Sequence, residues 1–188
     1  MKISKYVQKY MGQMIPAVLV AVMMVLTGCA NAVEDGTKLL EQGDYVAAQE
    51  EFQKSIDEEK DVSEAYRGLG ICYFEQEDYA GAANAFGMAL DLGAEETATI
   101  YNMLGVCAMK TENPEKAVYY FENGQNFPDA GQEILKEMSF NLVCAYEQVG
   151  DYVSAREKLE IYVGLYPDDA NAAKELEFLN TQAGDLHE

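Results

Sequence analysis

The chain repeats itself along most of its length, in three columns that stay in register. The first column is mainly glycine, the second is alanine and the third is a large apolar residue. Successive members are 34, 35 and 38 residues apart in every column. One helical hairpin cannot bury its own apolar face, so four copies of one unit must stack on each other. The columns are Gly36, Gly70, Gly105 and Val143; Ala48, Ala82, Ala117 and Ala155; and Phe52, Phe86, Phe121 and Leu159.

The best-preserved copy reads Tyr66-x-x-Leu69-Gly70-x-x-Tyr73, followed by the alanine and phenylalanine of the other columns. This pattern resembles the tetratricopeptide repeat, in which W-x₂-L-G-x₂-Y is followed by A-x₃-F and a proline. Tyr101 also stands at the tryptophan position, and Pro167 stands at the closing proline of unit 4. Two departures are Ala108, which replaces the tyrosine of unit 3, and the valine that replaces the glycine of unit 4.

The resemblance implies an all-α fold, a right-handed superhelical array of about four helix-turn-helix units. We expect the array to occupy residues 34–181, with a capping helix at its C-terminal end and a flexible tail over residues 182–188. Turn residues set the helix ends, since Gly suits a left-handed helix end and Asp or Asn caps the next helix. The predicted helices are 32–42, 45–57, 63–76, 79–91, 98–110, 114–125, 132–148, 152–165 and 169–181.

The first thirty residues predict export. Residues 1–13 are basic and residues 15–26 are apolar, as in the first two parts of a secretory signal. The following Leu26-Thr27-Gly28-Cys29 resembles the lipobox of bacterial lipoproteins, which implies cleavage between Gly28 and Cys29 and lipid on Cys29. An uncleaved anchor is the alternative, but twelve apolar residues span about 18 Å as a helix, against a hydrocarbon core of about 30 Å.

We therefore expect residues 1–28 to be removed and residues 29–33 to form a lipidated N-terminus with a very short tether. The mature protein would be anchored to the outer face of the bacterial cell membrane, or to a periplasmic leaflet in a two-membrane cell. Losing three lysines with residues 1–28 changes the net charge from −20 to −23. Such a surface is repelled by phosphate backbones, which argues against nucleic-acid binding.

The sequence offers no clear catalytic or metal-binding pattern. Cys72, Cys107 and Cys144 are widely spaced without a CxxC pair, and the only histidine, His187, is next to last. We interpret the three cysteines as small buried fillers. Neither a P-loop nor a GxSxG motif is present. We expect no enzyme activity, no metal site and no cofactor.

In the family that the repeat resembles, the first helix of each unit lines a concave groove that binds peptides or partner helices. The resemblance, carried across residue by residue, places two sets of side chains on this groove. The first set forms its surface: Glu64, Thr99, Met103, Glu137 and Glu147. The residues that we predict to contact a partner are Arg67, Ile71, Phe74, Asn102, Val106, Met109, Phe140, Asn141 and Cys144.

A groove of this composition favours an apolar or basic segment. Of the positions that grip a peptide carboxylate in chaperone-tail members of the family, only Arg67 matches, and Glu137 would repel an acid. The predicted function is therefore that of a membrane-anchored protein-binding scaffold. The alternatives are a self-associating structural lipoprotein, as a homo-oligomer, and an accessory subunit of an envelope assembly or transport complex.

Overall fold

A computed structural model describes residues 31–128 and 130–184, and over these residues the fold is all-α without strands. Each of the four units is a pair of helices, and a single helix follows the last pair. The sequence therefore predicted the fold class correctly. The helices are α1 (Ala32–Glu41), α2 (Tyr45–Asp57), α3 (Val62–Glu75), α4 (Tyr79–Asp91), α5 (Ala98–Lys110), α6 (Pro114–Gly124), α7 (Gln132–Val149), α8 (Tyr152–Leu165) and α9 (Ala170–Gly184).

Side-chain caps begin the second helix in three of the four units. The carboxylates of Asp44, Asp78 and Asp151 accept hydrogen bonds from backbone N–H groups three residues later, at 3.2, 2.9 and 3.0 Å. Each bond satisfies a donor that the helix itself leaves unpaired. Asn113 occupies the N-cap position of α6, but its side chain accepts no hydrogen bond there. Pro114, at the start of α6, has no N–H to satisfy.

A left-handed residue separates the two helices of every unit. Gly43 and Gly150 have φ values of 77° and 85°, as the turn pattern predicted. Units 2 and 3 place Glu77 and Glu112 in the same conformation, with φ values of 61° and 57°. A side chain in this region costs about 1–2 kcal/mol, so the tight turn is kept in these two units against the preference of the residue.

The repeat columns form the packed interior of each hairpin. A Cβ atom built on Gly70 or Gly105 would lie closer than 3.0 Å to the ring of Phe86 or Phe121. The glycines therefore let a phenylalanine lie flat against the first helix of its own unit. In unit 4 the first helix carries the larger Val143 in place of glycine, and the second helix carries the smaller Leu159 in place of phenylalanine. Both side chains are buried.

Neighbouring helices pack against each other in chain order from α1 to α9. Tyrosines reinforce two of the junctions between units: the hydroxyl of Tyr45 donates to Glu75 at 3.2 Å, and Lys110 lies over the ring of Tyr79 at 5.8 Å. The last helix, α9, caps the stack by burying Leu179 against the apolar cluster of unit 4. Among the described residues no helix is long and apolar enough to span a membrane.

Candidate peptide-binding groove

The predicted cation of the groove is exposed but already paired. Arg67 donates from Nε to the Oε2 atom of Glu64 at 2.7 Å, one turn earlier on α3. Both residues belong to the predicted groove surface, so their charges largely cancel there. Arg67 therefore offers an incoming carboxylate little net attraction.

Apolar residues of the predicted groove are half-buried, with one side of each chain packed on the core of its unit. Ile71 and Phe74 pack against the cluster that contains Phe86. Val106 and Met109 pack in the same way against the cluster around Phe121. Side chains held in this way lose little freedom when a ligand covers their remaining surface, which favours binding.

Asn102 stands out because it is a polar side chain with only 9% of its surface exposed. Its Oδ1 atom is buried and accepts no hydrogen bond from the described residues. A buried acceptor left unpaired costs about 1–3 kcal/mol. An N–H donor from a ligand would remove that cost, but only if the Asn102 side chain turned its Oδ1 atom out towards the groove, because the atom has almost no accessible surface.

Cys144 and two glutamates meet where α7 approaches α9. Burial and then the charges of Glu147 and Glu175 raise the pKa of the Cys144 thiol to about 11. Burial also raises the pKa of Glu147, and the neighbouring Glu175 carboxylate adds to the effect. The thiol is therefore protonated at neutral pH and a poor nucleophile.

The other two described cysteines are fully buried, as the sequence predicted. Burial raises the pKa of both Cys72 and Cys107 to about 11. All three described cysteines are free, without disulfide partners. Within residues 31–128 and 130–184 no group of three or more His, Cys, Asp or Glu side chains could hold a metal ion.

One cavity brings several of the groove residues of unit 4 together. The structure places Phe140 and Asn141 in an open cleft of about 260 Å³, together with Glu137. The other lining residues, which sequence reasoning missed, are Glu133, Lys136, Tyr162 and Asp169. They come from the start of α7, the end of α8 and the connection to α9.

Two features of the repeat could have revealed these missed residues. Three positions after the phenylalanine column stand Ser55, Ala89 and Gly124, and then the much larger Tyr162. Unit 4 is also displaced by 38 residues from unit 3, and α7 has 18 residues where α5 has 13. The added turn at the start of α7 carries Glu133, while the tyrosine supplies a wall that the other units lack.

Two predicted site residues lie outside the described residues: Gly28 and Cys29, at which we expect cleavage and lipidation. The structure describes residues 31–33 of the predicted tether. Asn31 caps α1, and its side chain accepts a hydrogen bond from the N–H of Val33 at 3.1 Å. Ala32 and Val33 are therefore helical, so α1 begins inside the predicted tether of residues 29–33.

Solved structures of similar fold include those of YrrB and MamA. YrrB, described as "a TPR protein with an unusual peptide-binding site", is 20% identical; the alignment covers 88% of this chain and 83% of YrrB, with a TM-score of 0.74. A crystal structure of MamA is 17% identical, with 81% of each chain covered and a TM-score of 0.70. At these identities the similarity establishes the fold alone. A search of curated proteins finds no match.

A match to a family model assigns the chain to a protein family. The model described as "Tetratricopeptide repeat" matches residues 35–95 and 73–131, which together span more than half of the 188 residues. The matched ranges cover units 1 to 3, in which the glycine, alanine and phenylalanine columns are intact. Unit 4, where the columns change to valine and leucine, still folds as the same hairpin. The chain therefore belongs to the tetratricopeptide repeat family.

Proposed function

We propose that the chain is a protein-binding scaffold of the bacterial envelope that captures a peptide segment or a partner helix along its groove. The observation that carries the proposal is the combination of half-buried apolar side chains on α3, α5 and α7 with the unpaired acceptor of Asn102. The apolar chains favour burial of a ligand, and the Asn102 amide could fix its main chain after turning towards the groove. The peptide-binding site named for YrrB supports this use of the fold.

The charge of the chain favours an apolar or basic segment as the ligand. Acidic residues outnumber basic ones by 33 to 13, and Glu64 already neutralises Arg67. A basic partner would be attracted over several ångströms and oriented before contact. An accessory subunit of an envelope assembly or transport complex would use the same surface.

Capture of a partner tests the groove. Replacing Ile71, Val106 and Phe140 by Ser should abolish capture, because these residues supply the apolar contacts of three units. The matched control replaces Val46, Tyr119 and Val153, which lie on second helices and are 63%, 57% and 43% exposed, by Ser and should still capture the partner. Both variants are first checked for native helicity by circular dichroism. A folded groove variant that captures the partner as well as the control does would refute the proposal.

We propose further that lipid on Cys29 holds the protein to the membrane. The support is the sequence alone: a basic segment, an apolar segment and Leu26-Thr27-Gly28-Cys29. Two or three acyl chains give stable anchoring, at roughly 0.8 kcal/mol per buried CH₂. Cys29→Ala should move the protein out of the membrane fraction or leave it unprocessed and unlipidated. Normal processing and normal lipid labelling of that variant would argue against the site.

Self-association is the second candidate, and α8 carries the observation that favours it. Ile161 and Leu165 lie one helical turn apart and are 61% and 65% exposed, which is unusual for neighbouring large apolar side chains. A homo-oligomer would bury them. The double change Ile161→Glu and Leu165→Glu should then lower the mass measured by light scattering from that of an oligomer to that of a monomer. An unchanged monomeric mass before and after the change would remove this candidate.

A further inference from the structure

The open cleft at the start of α7 differs from the rest of the groove because residues of α7, of α8 and of the connection to α9 line it together. Its volume of about 260 Å³ lies just below the range of about 300–1,000 Å³ typical of sites for drug-sized ligands. The space suits a single side chain or a group of similar size. Since the cleft opens beside Phe140, a segment lying along α7 could insert one residue into it.

The half-buried ring of Phe140 lines the cleft and packs on Tyr162, which is only 3% exposed. The centroids of Phe140 and Tyr162 are 5.4 Å apart, and Tyr166 continues the row with its centroid 4.8 Å from that of Tyr162. The hydroxyl of Tyr162 donates to Asp169 at 2.9 Å, which fixes its ring in place. The faces of such rings attract cations within about 6 Å of the centroid.

Carboxylates dominate the charges around these rings. Glu133, Glu137 and Asp169 line the cleft with one cation, Lys136, so the local balance is two negative charges. Asp169 is engaged by Tyr162 and by the backbone N–H groups of Asn171 and Ala172. Lys136 lies over the ring of Tyr166 at 5.3 Å from its centroid.

The carboxylates of Glu133 and Glu137 are the remaining unused groups. Both side chains are exposed, and neither makes a hydrogen bond or an ion pair with a residue in the described part of the chain. An anionic ligand would face their repulsion. An apolar ligand would remove water from them without replacing its hydrogen bonds, which is unfavourable.

We propose that this cleft binds an arginine side chain of the partner, with the guanidinium on the ring of Phe140 and within reach of Glu133 and Glu137. A guanidinium fits better than an ammonium because it is planar, stacks on aromatic faces and pairs with carboxylates through two parallel bonds. The inference rests on the proposed function for the source of the arginine. Its chemistry can be tested without any partner.

The probe is N-acetylarginine amide, titrated into the full chain in a nonionic detergent and followed by two-dimensional amide NMR. We expect saturable shifts confined to α7, the end of α8 and the start of α9, with a Kd in the millimolar range. The double variant Glu133→Gln with Glu137→Gln should weaken binding about threefold or more, as expected for the loss of two exposed ion pairs. Lys136→Gln should strengthen it, because a competing cation is removed.

Two controls separate specific binding from the overall charge. Glu157→Gln with Glu177→Gln removes the same two charges from exposed positions outside the cleft and should leave the Kd unchanged. N-acetylglutamate amide should produce no saturable shift in α7. The inference is overturned if the arginine probe does not saturate, if both double variants weaken binding equally, or if Lys136→Gln weakens it. Any of these outcomes leaves partner capture by the groove as a separate question.

Discussion

Single residues decide how closely the two helices of a unit approach. Glycine and phenylalanine face each other in units 1 to 3, and Val143 faces Leu159 in unit 4. Both combinations fill the same space by different divisions of volume. The pair, rather than either residue alone, is therefore the feature that the fold requires.

A double-mutant cycle tests this pairing. Gly105→Val should destabilise the array by about 1–3 kcal/mol through overpacking, since a Cβ there would lie closer than 3.0 Å to Phe121. Adding Phe121→Leu should recover part of the loss, with a coupling of at least about 0.5 kcal/mol. Urea unfolding followed by circular dichroism measures both quantities. Strict additivity of the two single changes would contradict the pairing.

The contribution of Glu147 to folding stability should change with pH in the direction opposite to that of a carboxylate in an ion pair. Burial and then the nearby Glu175 raise its pKa, so the folded state favours the protonated form. Its contribution to stability is greatest below the unfolded pKa of about 4.3 and is lost as the pH rises through the folded value.

Glu147→Gln keeps the shape and removes the charge. The variant should melt at a higher temperature than the parent at pH 7, and the difference should shrink as the pH is lowered towards 4. Differential scanning calorimetry at a series of pH values provides the measurement. Glu157→Gln, at an exposed position on α8, serves as the control. A lower melting temperature at pH 7 for the Glu147 variant would show that its charge stabilises the fold.

At the scale of the helix, sequence and structure agree closely on where each element begins and ends. Periodicity, cap residues and turn glycines placed all nine described helices to within a residue or two at most ends. The largest difference is at the C-terminal end of α9, for which the sequence predicts residue 181, whereas the helix continues to Gly184, into the range expected to be a flexible tail. The residue type of the turns is less regular. Glu77 and Glu112 take the left-handed turn that Gly43 and Gly150 take, because packing of the two helices overrides the preference of the residue.

The caps differ in a way that the sequence did not reveal. Asp78→Ala should cost about 1 kcal/mol, because its carboxylate accepts a hydrogen bond from the N–H of Gly81 at 2.9 Å. Asn113→Ala should lower the stability by only a few tenths of that amount, because the Asn113 side chain makes no capping hydrogen bond. Pro114 also has no backbone N–H that would need a partner. Chemical denaturation of the two variants makes the comparison. Equal losses would mean that Asn113 contributes in a way the hydrogen bonds do not show.

The cleft of unit 4 shows why a site is harder to predict than a fold. The repeat columns consist of residues that pack inside each hairpin. The cleft instead depends on Tyr162, at a position where the other units have a small residue, and on the added turn of α7. Both lie in the sequence as departures from the repeat. Their meeting with Asp169 arises only when α9 stacks on α8, and no local pattern encodes that contact.

For the whole molecule, the tether and the charge together imply a particular arrangement at the membrane. With lipid on Cys29 as proposed, residues 29–31 reach at most about 10 Å before α1 begins at Ala32. The first hairpin would lie near the headgroups, and the net charge of the mature chain would repel the body of the array from an anionic surface. Units 2 to 4 would then face the partner.

Site-specific photo-crosslinking in intact cells tests the central claim, that the groove captures a protein. A photoreactive phenylalanine at Met109, on the first helix of unit 3, should form a discrete adduct with a partner. The same residue at Tyr119, on the second helix of that unit and 57% exposed, is the matched control and should form none. Adducts from Met109 alone are the predicted result. Adducts from Tyr119 alone would place the partner on the opposite face and contradict the account.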